Sequence, residues 1–232
     1  MSAIATVVRG GFQGWLSATV FAVMLLLHMP EQATADLIVV EFVAKVDYVL
    51  DEDNLLGGAV DADDLISGRY TYDSECADVT VAADFGEYRY DTPPYGMTVH
   101  VGTLVFTTDL TNLAYFQVSV LDNRNGMDVY GVNSLQQDPL TSPGVRWMCI
   151  QLEDHGATAV DSVALPLTAP DLAAWPDMRR LHIEGNDGQA LSPPDQFFIS
   201  STLVEMTLVP EPATIGVVAV AMAGLILRRR KS

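Results

Sequence analysis

Carboxylates supply most of the chemistry that this 232-residue sequence could perform. Asp51, Glu52 and Asp53 precede the Gly57-Gly58 pair, and Asp61, Asp63 and Asp64 follow it. Calcium takes roughly six to eight oxygen ligands, and loops dense in carboxylates can provide them. An EF-hand frame starting at Asp51 would set Leu55 and Leu56 where a ligand oxygen and a glycine are needed. The segment therefore reads first as a solvated acidic loop, with Asp61, Asp63 and Asp64 as candidate ligands of a weak calcium site; no other cofactor is expected. Glycoside hydrolysis needs two carboxylates at a defined separation, and folding could assemble such a pair from this acidic stock. Tyr88, Tyr90, Tyr95 and Trp147 could stack on sugar rings, although tyrosines that alternate along strands more often pack in a core.

Other chemistries find less support. Beyond the first 35 residues the histidines are His100, His155 and His182, in separate segments without zinc-ligand spacing. His100 and His182 alternate with apolar neighbours and are expected to face solvent. A nucleophile elbow of the G-x-S-x-G type is absent, as is a glycine-rich phosphate loop. Cys76 and Cys149 have no histidine nearby in sequence and are better read as a pair. In an oxidising compartment a bridge between them would close a loop of about 74 residues, worth roughly 4 kcal/mol in the chain-entropy reckoning. No catalytic residue is expected.

Charge narrows the partners. Residues 36–208 carry seven basic against 28 acidic side chains, a net charge of −21. That field repels phosphate backbones and anionic lipid surfaces, so a nucleic-acid partner is excluded from the expected functions.

The elements that must position these groups are strands. Val40, Phe42, Ala44, Val46 and Tyr48 alternate with Glu41, Lys45 and Asp47, the period of a half-buried strand. The same period marks 66–72, 97–101, 115–120, 127–132, 145–152, 180–183 and 197–208. In the last of these, Val204, Met206 and Leu208 oppose Glu205 and Thr207. Asp122-Asn123-Arg124-Asn125-Gly126 suits the positive φ angles of a hairpin turn. Pro170-Asp171-Leu172-Ala173-Ala174-Trp175, stopped by Pro176, predicts the single short helical segment. This pattern predicts an all-β fold, a single jelly-roll-like β-sandwich over 36–208.

Both extremities differ from this body. Residues 1–35 have Arg9 in a weakly basic leader, an apolar stretch over 15–27, and Ala33-Thr34-Ala35 as an A-x-A cleavage site. They read as a signal peptide for signal peptidase, with Asp36 as the mature start. Residues 209–232 begin Val209-Pro210-Glu211-Pro212, continue as an uncharged apolar run over 213–227, and finish Arg228-Arg229-Arg230-Lys231-Ser232. Pro210 and Pro212 can neither extend a strand ladder nor sit within a helix, so Glu211 is offered on extended backbone. A helix over 213–227 would rise roughly 22 Å, short of the ~30 Å hydrocarbon core, and snorkelling arginines could close the gap. Arg228, Arg229 and Arg230 favour the cytoplasmic side, which leaves everything before Pro210 outside.

These three elements in order, ending at Ser232, resemble the PEP-CTERM sorting signal of exported bacterial proteins. The resemblance covers 209–232. It implies recognition by an exosortase, a membrane cysteine transpeptidase-like enzyme, in bacteria that make exopolysaccharide. The run Gly68-Arg69-Tyr70-Thr71-Tyr72-Asp73, the Asp171-Leu172 turn and the closing strand also look like the β-sandwich often attached to this signal. Many relatives place a Ser/Thr-rich linker before the motif, and this chain does not. The expected protein is exported and non-catalytic. It is held briefly at the inner membrane by the 213–227 helix, then delivered to the cell surface or extracellular matrix. The alternatives are a carbohydrate-binding module for exopolysaccharide or a glycoside hydrolase.

Overall fold

The computed structural model describes residues 37–136, 144–186 and 196–210. There the period-two pattern becomes ten strands. They are β1 (Leu37–Asp51), β2 (Leu65–Asp73), β3 (Phe85–Tyr90), β4 (Gly96–Val101), β5 (Leu104–Thr107), β6 (Leu113–Leu121), β7 (Asp128–Gln136), β8 (Gly144–Asp154), β9 (Met178–Asn186) and β10 (Gln196–Leu208). A single 3-10 turn, Leu172–Ala174, forms where the proline-bounded segment predicts a short helix. Asp171 caps it, its carboxylate accepting from Ala173 N at 2.9 Å.

All neighbours pair antiparallel in the order β3-β6-β7-β8-β9-β10-β1-β2-β4-β5. The sandwich is thus one sheet curled upon itself, not two separate sheets. Side chains from distant strands meet across the interior. Tyr70 of β2 and Tyr130 of β7 are fully buried, with hydroxyls 3.0 Å apart. Thr108, just beyond β5, shares a 2.7 Å hydrogen bond with Ser134 of β7. The rings of Phe106 and Phe197 stack at 5.7 Å. Each of these buried hydroxyls finds a partner, which removes most of the penalty for placing it in an apolar core. Burial pushes the Tyr70 and Tyr130 hydroxyls well above the ordinary tyrosine range.

Turn chemistry agrees with the sequence. Asn123, Asn125 and Gly126 take φ values of 51°, 59° and 78°, closing the β6–β7 hairpin. One alternation is displaced. Leu203 pairs with Ala44 and Glu205 with Val43, leaving Val204 as an extra residue in β10. Alternation from the buried Leu203 points Val204 outward, 54 % exposed, and the bulge sets Glu205 on that same face opposite Val43, so Val204 does not share a face with Met206 and Leu208 as expected. The buried positions of β10 are instead Phe197, Ile199, Ser201 and Leu203.

Gly68 shows how closely this sheet packs. A Cβ there would lie 2.3 Å from the Phe42 ring and 2.7 Å from the Thr98 carbonyl oxygen. Gly68→Ala should therefore lower stability by about 2 kcal/mol, the usual cost of forcing an extra carbon into packed structure. Calorimetric unfolding of the two proteins would measure it.

Candidate functional site

Two regions of the described structure could carry function: the end at which the chain leaves the sheet, and the outer face. At the first, β1 and β10 are antiparallel, so the start of β1 and the finish of β10 share one end of the body. Val40 lies opposite Leu208, and Val209 N donates to Val39 O at 2.9 Å. Pro210, which has no N–H, comes directly after. The residues expected to direct processing and sorting, Ala33, Ala35, Glu211, Pro212, Arg228, Arg229 and Arg230, lie outside the described residues. Among the described residues no helix is long and apolar enough to cross a membrane.

The residues beyond Leu208 decide the class of this region. The family described as PEP-CTERM protein-sorting motif matches residues 208–231. The chain carries a PEP-CTERM sorting motif. Such a motif implies export, passage through a membrane-anchored stage, and processing by an exosortase. No curated protein and no solved structure matches the chain.

The outer face of β10, β1, β2 and β4 holds an open groove of about 560 Å³. Two rows of cross-strand neighbours line it: Thr207, Glu41 and Arg69 in one, Glu205, Val43, Ser67 and His100 in the next. Carboxylates, a guanidinium, an imidazole and hydroxyls thus converge on one surface able to exchange many hydrogen bonds with a polar ligand. His100 is exposed, as its alternation predicts. No sequence signal singles out the rest of this set. The pairings Glu41–Arg69 and Glu41–Thr207 join segments far apart in the chain, and no local pattern encodes them.

A second outer-face feature lies over β8, β9 and β10. The His182 ring sits 4.5 Å from Trp147 and 4.4 Å from Phe198, centroid to centroid. Its side chain is only 13 % exposed, so the expectation that it faces solvent freely is corrected. Two flanking aromatics cover it. Burial pushes its pKa below the ordinary value, against the opposing pull of Glu184, whose Oε2 lies 3.4 Å from Nε2. Trp147 Nε1 donates to Asn133 Oδ1 at 3.3 Å, and exposed Leu50 and Tyr48 extend the strip on β1.

The other proposed sugar platforms do not share this surface. Tyr88 and Tyr90 are buried, their hydroxyls donating to Val163 O and Asp73 O, each at 2.9 Å. Tyr95 packs against Tyr90 at 5.0 Å and donates to Asp73 Oδ2 at 3.3 Å. Only Trp147, of the four, stands on the outer face.

The expected bridge between Cys76 and Cys149 is also corrected: both thiols are free. Cys149 alternates with the inward-facing Met148 and Ile150, so it points to the outer face, opposite His182 on β9. Cys76 instead packs against the core beyond the end of β2. The sheet itself separates them. Burial pushes the Cys149 thiol up to about 12 and raises Cys76 as well, which disfavours the nucleophilic thiolate.

The acidic loop uses its carboxylates locally. Asp63, at φ 73°, pairs with Lys45 at 2.6 Å, and Asp64 Oδ2 accepts from Asp61 N at 2.8 Å. Asp51 accepts from Leu55 N and Leu56 N at 2.7 and 2.8 Å. Among the described residues no three histidine, cysteine or acidic side chains converge in a way that could hold a metal ion.

Carboxylates that accept N–H groups make the body sensitive to acid. Backbone N–H groups of Thr158 and Gly156 hold Asp154 below the ordinary 3.8, and the Thr158 hydroxyl adds to them. Thr111 does the same for Asp109 through its hydroxyl and its N–H. The folded carboxyls are more acidic than unfolded ones, so their stabilisation is complete above that ordinary value and drains as pH falls through the lower folded values. Thermal unfolding from pH 5 to pH 2 should show a falling Tm, with a shallower fall in Asp154→Asn.

Proposed function

We propose that this protein is a non-catalytic component of the cell surface or extracellular matrix, delivered there by its PEP-CTERM motif. The motif match beginning at Leu208, where β10 finishes, is the observation that carries this reading. The signal-peptide-like residues 1–35 would begin export, and the 213–227 segment would hold the body outside the bilayer. An exosortase would then act near Pro210-Glu211-Pro212. The basic residues Arg228, Arg229 and Arg230 support that orientation by favouring the cytoplasmic face. A body charge of −21 suits a soluble cargo that avoids anionic membranes. Removing 209–232 should send the exported body to a different destination, read by fractionating cells, surface and medium. An unchanged distribution would contradict the proposal.

A second reading is binding of a polysaccharide. The Trp147–His182–Phe198 strip favours it, because the partly buried Trp147 and Phe198 rings, beside Asn133 and Glu184, offer both stacking and hydrogen bonding to sugar rings. Exopolysaccharide is the ligand class this second reading would take. Mature protein applied to a polysaccharide array, beside Trp147→Ala, tests it: retention lost in the variant supports binding, and no retention of either rejects it. A reducing-end assay on the same wells would register hydrolysis.

A further inference from the structure

We propose that residues 204–209 are a releasable strap, which peels from β1 to become the linker through which the sorting motif is processed. The strap presupposes exosortase processing of the motif, the reading proposed for this chain. An enzyme acting at Pro210-Glu211-Pro212 must bind extended chain on both sides of its target, since main-chain hydrogen bonds supply much of such recognition. Yet Val209 is bonded to Val39, and Leu208 faces Val40. In the closed sheet no free chain precedes the motif.

Four observations single out 204–209 as the part that can yield. β9 stops pairing with β10 at Thr202, so beyond that point β10 is paired along the β1 side alone among the described residues. Leu203, 1 % exposed, is the last buried side chain of the strand. From Val204 to Pro210 every residue is exposed or half-buried, and of these Met206 alone packs against the core. The bulge at Val204 interrupts the ladder between the anchored and unanchored parts. Few apolar contacts and solvent-facing hydrogen bonds are the marks of a segment that opens locally while the fold persists. Peeled away, the six residues span about 20 Å at roughly 3.3 Å each, enough to carry the motif clear of the body.

The Val209 N to Val39 O bond makes Val40 and Leu208 a non-hydrogen-bonded pair, whose Cα atoms are typically about 4.5 Å apart and within reach of a disulfide. The test uses full-length chain carrying Val40→Cys and Leu208→Cys, with Cys76→Ala and Cys149→Ala, presented to exosortase-containing membranes. Oxidised chain should lose its tail at least about tenfold more slowly than the same chain reduced. Inserting six Gly/Ser residues between Val209 and Pro210 of the oxidised chain should restore the rate. Equal rates for oxidised and reduced chain would overturn the strap while leaving processing intact. Failure of every chain to be cut, native included, would overturn the processing reading instead. Hydrogen exchange supplies a separate check: 204–208 should exchange faster than 197–203, and equal protection would contradict the strap.

Discussion

Asp128→Ala should lower the stability of the body by about 3 kcal/mol, through the loss of a side-chain carboxylate that accepts from three backbone N–H groups. Asp128 is fully buried at the start of β7. Its Oδ1 accepts from Asn123 N at 2.7 Å; its Oδ2 accepts from Ala159 N and Val160 N at 2.9 and 3.0 Å. One side chain therefore ties the β6–β7 hairpin to the loop after β8. Alanine would leave three N–H groups without their acceptor, each costing about 1–3 kcal/mol where water cannot reach it. Partial hydration of the loop brings the total toward the low end. For a body of this size the midpoint should drop by roughly 10 °C. Asp128→Asn should lie between, because an amide offers one oxygen and must turn a donor toward the others. Scanning calorimetry of the three proteins would measure the series.

Replacing Pro210, Glu211 and Pro212 together by alanine should slow the appearance of processed protein about thirtyfold or more. That ratio corresponds to the ~2 kcal/mol typically lost when one partner of a buried charge pair is removed. Two prolines hold Glu211 on extended backbone; alanines would let the segment join the apolar helix expected over 213–227. Uncut chain should then accumulate in the membrane fraction. Pulse-chase immunoblotting would track it, and normal processing kinetics would contradict the assignment of recognition to these residues.

The sequence and the fold agree best where the information is local. Eight of the ten strands show period-two alternation, from β1 and β2 through β4 and β6 to β10, and the Asn123–Gly126 turn lies where its residue types predict. The two strands without a readable pattern are β3 and β5, and they occupy the two edges of the sheet. Edge strands are commonly short. β5 spans only Leu104–Thr107, while β3 places Gly86 at an inward position, which breaks the apolar rhythm and makes Tyr88 and Tyr90 look like surface rings.

Non-local facts stayed hidden for a different reason. The groove around Glu41, Arg69 and Glu205 depends on register between strands from three parts of the chain. The burial of Asp128 depends on the N–H groups of Ala159 and Val160, more than thirty residues further along the chain, and Asp128 does not differ by type from the other acidic residues of the body. A bulge shifts the buried set within β10, and sequence alternation alone does not announce it. The sorting motif is the opposite case. Its prolines, apolar run and basic finish are contiguous, so the primary structure carries the whole signal.

Under the proposed function, hydrophobic ends that act as an address for the acidic body should leave a plain trace in the mature protein. Intact-mass analysis of the protein isolated from the exported fraction reads that trace most directly. The expected chain begins at Asp36 and lacks the apolar run 213–227 with the basic residues after it. Full-length chain recovered from the cytosol, with Met1 and Ser232 both present, would contradict it.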